Sequence, residues 1–217
     1  MNTIRFTLVT DGPTDAILIH PLRWLLVVNG VRLAIEPQWP DLSALPRPPS
    51  KLEDRIQAAL DLAPANLLFV HRDAERESRG KRVEEILQAV RRVSPELFGT
   101  QPYVCVVPVR MTEAWFMCDE MAIRRAAGNP HGRIALAVPS GDRAEGIPHP
   151  KDTLHELLRS ASELSARRLR RFPIHERVHR VAELIEDFSP LRQLPAFAAL
   201  EKELQEVIKN AGWGKPN

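Results

Sequence analysis

Acidic residues gather at three places where an apolar run gives way to polar chain. These are Asp11 and Asp15 in Asp11-Gly12-Pro13-Thr14-Asp15, Asp73 and Glu75 in His71-Arg72-Asp73-Ala74-Glu75, and Glu113 in Arg110-Met111-Thr112-Glu113. Carboxylates brought close together repel, and taking them out of water is costly, so a fold that gathers them needs a compensating cation. A hard divalent ion with oxygen ligands is the natural one. Mg²⁺, or Mn²⁺ in its place, takes few protein carboxylates and keeps sites open for phosphate oxygens. Asp73 and Glu75 are two residues apart, so in an extended segment their side chains point the same way. Other roles suit the same residues one by one. Asp11 and Asp15 fit a helix N-terminus, Asp73 and Glu75 fit a solvated loop beside Arg72, Arg76 and Arg79, and Glu113 fits a first helical turn.

The elements that must position these groups alternate. Ile4–Val9, Val31–Ile35, Asn66–Val70 and Tyr103–Val109 read as strands, apolar on both faces where they are longest. Between them lie helical patterns: one opened by Gly12-Pro13, ending at Asn29-Gly30 and kinked at Pro21, then Lys51–Leu62 and Lys81–Val93. A further helix is expected over Met111–Ala127, and the proline-rich stretch 37–49 reads as loop. Strands of this kind alternating with helices predict an α/β fold with a mostly parallel four-stranded sheet covered by helices. Such sheets bind ligands outside the carboxyl ends of their strands, which is where the acids fall. The second half differs: Gly128–Pro150 reads as a long loop, followed by helical patterns at Asp152–Ser162, Ile174–Phe188 and Pro195–Ala211. The expected organisation is an α/β core over 1–127, a linker over 128–150 and a helical region over 151–217.

Composition sets limits. The chain has 217 residues, 44% of them hydrophobic, enough for a sizeable core. A net charge of +2 supplies no global field, so any attraction to nucleic acid must be local. Two cysteines, Cys105 and Cys118, make neither a disulfide framework nor a Cys-based zinc site. Polar and charged residues interrupt the apolar stretch 16–35, and no secretory leader is legible, so a cytoplasmic location away from membranes is expected.

An apolar strand followed by acid-Gly-Pro-Thr-Asp, with a later strand ending in acid-x-acid, resembles the TOPRIM superfamily. This is the catalytic fold of primases, topoisomerases, recombination proteins and OLD-family nucleases. The run Thr112-Glu113-Ala114-Trp115-Phe116-Met117-Cys118-Asp119 looks like a segment of small stand-alone TOPRIM-like proteins encoded beside ABC-type ATPases. The Pro150-Lys151 pair and Pro195-x-Phe197 are similar to that group as well. The resemblance implies that Asp11 is a general base or metal ligand and that Asp73 and Glu75 are the principal Mg²⁺ ligands. Asp15 and Glu113 support them, and Lys151 joins the substrate contacts. It also implies a nuclease effector in antiviral defence, working with a separate ATPase; a homodimer is compatible with this. Asp11 stands where the family has Glu, and Glu75 where the pair is Asp-x-Asp. Each exchange keeps the charge and moves the oxygens by a bond length, which matters more for proton transfer than for metal binding. The lone tyrosine, Tyr103, starts a strand and so suits no topoisomerase nucleophile. The length leaves no room for a primase's additional domains.

Arg72, Arg76, Arg79, Lys81 and Arg82 surround the acid pair, and Arg167, Arg168, Arg170 and Arg171 form a compact run; both suit phosphate contacts or a solvated surface. His71 is placed to assist a phosphate or metal beside Asp73, whereas His20, His131, His149 and His155 lack ligand spacing. His175-Glu176-Arg177-Val178-His179 spells H-E-x-x-H, the pattern of a zinc-dependent hydrolase. Against that reading stand Arg177 and Arg180 beside the would-be dication and the lack of an evident third ligand. A non-catalytic, partner-binding protein is the remaining alternative.

Overall fold

The computed structural model describes residues 2–93 and 102–214. Its centre is a four-stranded, wholly parallel sheet formed by β1 (Thr3–Val9), β2 (Ala34–Gln38), β3 (Leu67–His71) and β4 (Tyr103–Val106), in the order β2-β1-β3-β4. The protein is therefore α/β, as the alternating pattern predicts. Phe6 pairs with Leu67 and Leu8 with Phe69, so these apolar side chains share one face, and the Phe6 and Phe69 rings meet edge to face at 5.1 Å. The opposite face carries Val9, Leu68, Val70 and Cys105. It packs on Ile56 and Ala59 of α2 (Leu52–Leu62) and on Ile86, Ala89 and Val90 of α3 (Arg79–Val93). Burial on both faces explains why β3 is apolar at every position before His71.

Several elements differ from the expectation, each for a local reason. The second strand is Ala34–Gln38, not Val31–Ile35, and contains Pro37 opposite Phe6. A proline is tolerated there because β2 is an edge strand, with one side free of ladder bonds. After Gly12 the chain makes a 3-10 turn, Pro13–Leu18, before α1 (Ile19–Val28), so Pro21 falls in the first turn of the α-helix. Its missing N–H is one of the orphan donors there and no kink is required. Gly30, at φ 87°, ends the helix in the left-handed conformation that glycine adopts freely. Pro108 follows the fourth strand, which closes at Val106 rather than Val109. The helix expected over 111–127 is a 3-10 turn, Thr112–Met117, then α4 (Glu120–Ala126). Asp119 breaks the run by capping α4, accepting from Ala122 N at 2.9 Å.

Beyond these lie α5 (Pro150–Ser162), α6 (Ala166–Leu169), α7 (Ile174–Leu184) and α8 (Pro195–Ala211). The segment 128–150 carries only a 3-10 turn at Gly141–Gly146 before α5 begins. α7 stops four residues short of Phe188, and Ser189–Gln193 forms a separate 3-10 turn. The backbone divides into two compact units, Met1–Val107 with Ala199–Asn217, and Pro108–Ala198; the sequence reading set its boundaries at residues 127 and 150. The end of α8 goes with the sheet because its side chains bond there. Glu203 accepts from Cys105 N at 3.0 Å, and Glu201 accepts from Asn29 Nδ2 at 3.0 Å. Among the described residues no helix is long and apolar enough to cross a membrane.

Glu203 gives the first unit a pH dependence. Burial raises its pKa above the ordinary carboxyl value, and the bond from Cys105 N offsets only part of that. A folded pKa above the unfolded one means stability that is complete at low pH and is lost as pH rises through the folded value. Glu203→Gln keeps an acceptor for Cys105 N and cannot ionise. Its melting temperature is therefore expected to exceed the wild-type value by a margin that grows from about pH 4 to pH 7. Thermal scans across that range check the slope.

Candidate metal centre

The order β2-β1-β3-β4 reverses direction between β1 and β3: the chain moves from β1 to one side and then crosses to the other. A doubly wound sheet opens a crevice at such a switch point, beyond the strands' carboxyl ends. The loops there are the ones that carry Asp11 and Asp15 after β1 and Asp73 after β3. β3 itself ends on His71, whose side chain is fully buried.

Asp15, His71 and Asp73 form one group, with a ligand atom from each lying within 4.8 Å of the other two. His71 Nε2 is 3.1 Å from Asp73 Oδ1, and His71 Nδ1 is 3.9 Å from Asp15 Oδ2. Among the described residues this is the one cluster of three such donors. Asp15 is also fixed locally: its Oδ2 accepts from Gly12 N at 3.0 Å, closing the turn that leads into Pro13–Leu18. Full burial by itself drives the imidazole of His71 towards its neutral form. The hydrogen bond with Asp73 and the fields of Asp15, Asp73 and Asp11 outweigh that, and its pKa lies above the ordinary histidine value. Two carboxylates and an imidazole at this spacing suit a divalent ion. The imidazole moves the preference from Mg²⁺, the hardest choice, towards Mn²⁺ and softer transition ions.

Asp11 lies beside this group in a different state. Arg72 Nε donates to its Oδ2 at 3.1 Å, Asp73 N donates to the same oxygen at 3.3 Å, and Arg55 donates to Oδ1 at 3.4 Å. Its charge is already met by two guanidinium groups. The geometry makes Asp11 a brace for the Asp73 backbone. From Arg72 the pairing continues to Glu85 at 3.2 Å, from Glu85 to Arg82 at 2.9 Å, and from Arg82 to Glu75 at 3.3 Å.

Glu75 is not extended from Asp73. The chain turns at Ala74, where Glu77 N donates to Ala74 O at 2.8 Å, and Glu75 takes a φ of 53°. The two acids therefore do not share a face, and the Glu75 side chain is 68% exposed on Arg82. The basic residues beside the loop are mostly engaged. Arg72 holds Asp11 and Glu85, Lys81 holds Glu77 at 2.8 Å, and Arg79 lies 4.0 Å from Glu203, while Arg76 is exposed. Arg55 and Trp39 also stand at these strand ends. Neither was legible as a site residue, because their partners lie tens of positions away in sequence.

The cluster of Asp15, His71 and Asp73 is drawn entirely from the first unit. Glu113 and Lys151 belong to the second: Glu113 is buried in the turn Thr112–Met117, and Lys151 is half-buried at the start of α5. Arg167, Arg168, Arg170 and Arg171 are exposed on and just after α6. In α7, Val178 and Val181 are buried, as is Ile185 just beyond its end, which leaves His175 exposed and His179 half-buried. The His175 ring meets His155 edge-on at 5.7 Å, and Arg177 bonds to Ala126 O at 3.0 Å. Among the described residues no third His, Cys, Asp or Glu joins His175 and His179 within ligand reach. Burial raises the pKa of both thiols, that of Cys118 to about 12, so neither is a ready nucleophile. No protein-family model matches this chain, and it has no match among curated proteins or among solved structures.

Proposed function

We propose that the protein is a Mg²⁺- or Mn²⁺-dependent phosphodiesterase of TOPRIM type, a nuclease acting on DNA or RNA. The observation that carries this reading is the convergence of Asp15, His71 and Asp73 at the sheet's switch point, with donor atoms within 4.8 Å. Asp73 and Asp15 would hold the ion with His71, and the ion when bound would polarise a phosphate oxygen. Asp11 positions the Asp73 backbone, and Arg72 is placed by Asp11 and Glu85 at the same rim. The partnership with a separate ABC- or OLD-type ATPase, the role in antiviral defence and the cytoplasmic location rest on the family resemblance and the sequence reading.

The test is cleavage of plasmid DNA and of RNA with Mg²⁺ or Mn²⁺, against EDTA, for the wild type and Asp73→Ala. Cleavage is expected to need the ion and to be lost in the variant, by about a hundredfold or more, since removing a supporting group alone typically costs ten- to a hundredfold. Cutting that survives both EDTA and the substitution defeats the reading.

A second reading has its own support. Burial opposes a charge on His71, but its bond with Asp73 at 3.1 Å and the nearby Asp15 raise its pKa, so the imidazole itself offsets part of the repulsion between the two carboxylates. A non-catalytic, partner-binding protein would keep such a triad as a structural ion cluster. Calorimetry showing no Mn²⁺ binding would favour it.

A further inference from the structure

We propose that the cleft at the carboxyl ends of β1 and β2 is a nucleobase subsite, which makes single-stranded nucleic acid the substrate class. The cleft has a volume of about 50 Å³ and is lined by Val9–Pro13, Trp39–Ser43 and Arg55. Asp11, the residue that braces Asp73, therefore lines this cleft too. A phosphodiester held at the metal centre would have its adjoining nucleoside within reach of the opening.

The lining suits a flat, partly polar ring. Trp39 brings an aromatic surface, and Pro13 and Pro40 bring rigid apolar walls. The indole N–H of Trp39 donates to Thr10 Oγ1 at 3.0 Å, and the Thr10 hydroxyl donates in turn to Gly12 O at 2.8 Å. The bond is made by the edge of the indole, so it fixes the ring's orientation and uses neither face. Arg55 lines the same cleft, bonded to Thr10 O and to Asp11, and holds a fixed cation there. Asp41 supplies a carboxylate: its Oδ1 accepts from Ser43 N at 3.0 Å and from Ser43 Oγ at 2.5 Å. It is placed to accept from a base edge that carries amino or imino protons. Base-on-aromatic stacking is tolerant of base identity. It also requires a base out of its duplex stack, which single strands provide at little cost.

The proposal rests on the phosphodiesterase reading only for the neighbouring phosphate, and its test needs no turnover. Fluorescence anisotropy in EDTA compares a labelled single-stranded oligonucleotide, the same length of abasic strand and a duplex, on the wild type, Trp39→Ala and Trp39→Phe. The expected result is about tenfold weaker binding of the base-bearing strand to Trp39→Ala, with recovery in Trp39→Phe and no change for the abasic strand. Equal loss on the base-bearing and abasic strands, or none on either, overturns the subsite. So does preference for the duplex. Binding of a free nucleoside monophosphate as tightly as the oligonucleotide replaces the polymer with a small ligand and overturns it as well. Loss of cleavage in Asp73→Ala with the Trp39 effect intact separates the two ideas; a failed cleavage test leaves this binding result standing or falling alone.

Discussion

Asp73→Ala is expected to weaken Mn²⁺ binding by about a hundredfold or more, whereas Asp11→Ala weakens it by about tenfold, both by isothermal titration calorimetry. The ranking follows from what each carboxylate already touches. Asp73 meets His71 Nε2 at 3.1 Å and belongs to the three-donor group. Both oxygens of Asp11 are taken, Oδ2 by Arg72 and Asp73 N, Oδ1 by Arg55. To bind an ion, Asp11 would have to give up two charge-assisted bonds, and the incoming cation would meet two guanidinium groups. Its influence therefore runs through the Asp73 backbone, and groups that act at one remove from a metal typically change affinity ten- to a hundredfold. Asp15→Ala is expected to match Asp73→Ala in affinity but to lose about 1 kcal/mol of stability as well, because its Oδ2 closes the turn at Gly12. Equal losses for Asp11→Ala and Asp73→Ala would return Asp11 to the ligand set.

How far the site was legible follows from which interactions are local. Apolar runs interrupted by helical periods suffice for the parallel sheet, and acids just past β1 and β3 suffice to bring Asp15 and Asp73 to one crevice, since the strands are neighbours. The contact between His71 and Asp73 is legible because the two lie two residues apart. The pairing of Asp11 is not. It depends on Arg55, whose partner is 44 positions away, and on Arg72, 61 away, and spacing carries no trace of either pairing. The bend at Glu75 is hidden for a different reason. A left-handed φ at a glutamate is disfavoured, so nothing in the residue type announces the turn that separates it from Asp73. At β2, Pro37 has the look of a breaker, but an edge strand leaves room for its missing donor, so the strand runs through it. Glu113 follows the fourth strand in sequence, and the division of the backbone at Pro108 places it in the other compact unit.

Trp115→Ala is expected to destabilise the Pro108–Ala198 unit by about 3–5 kcal/mol, the usual cost of emptying a buried aromatic position. Trp115 is fully buried, and its ring meets Phe197 edge to face at 5.1 Å. Phe116, next in the chain, does the same with Phe188 at 6.4 Å. The turn Thr112–Met117 is buried at all six positions, so its side chains build a core whatever else the segment does. The indole N–H reaches Glu145 Oε1 only at 3.4 Å, a weak bond, and Trp115→Phe should therefore retain most of the stability that Trp115→Ala loses. Urea unfolding followed by near-ultraviolet circular dichroism measures both. The same segment holds Glu113, and a Glu113→Gln variant separates its two candidate roles, because the exchange keeps shape and removes charge. If Glu113 acts in the chemistry, this variant keeps the wild-type urea midpoint and loses ion-dependent cleavage. If it only fills the turn, cleavage stays and any change is in the midpoint. A Trp115→Ala protein that unfolds at the wild-type midpoint would show that the Trp115–Phe197 contact does not hold this unit together.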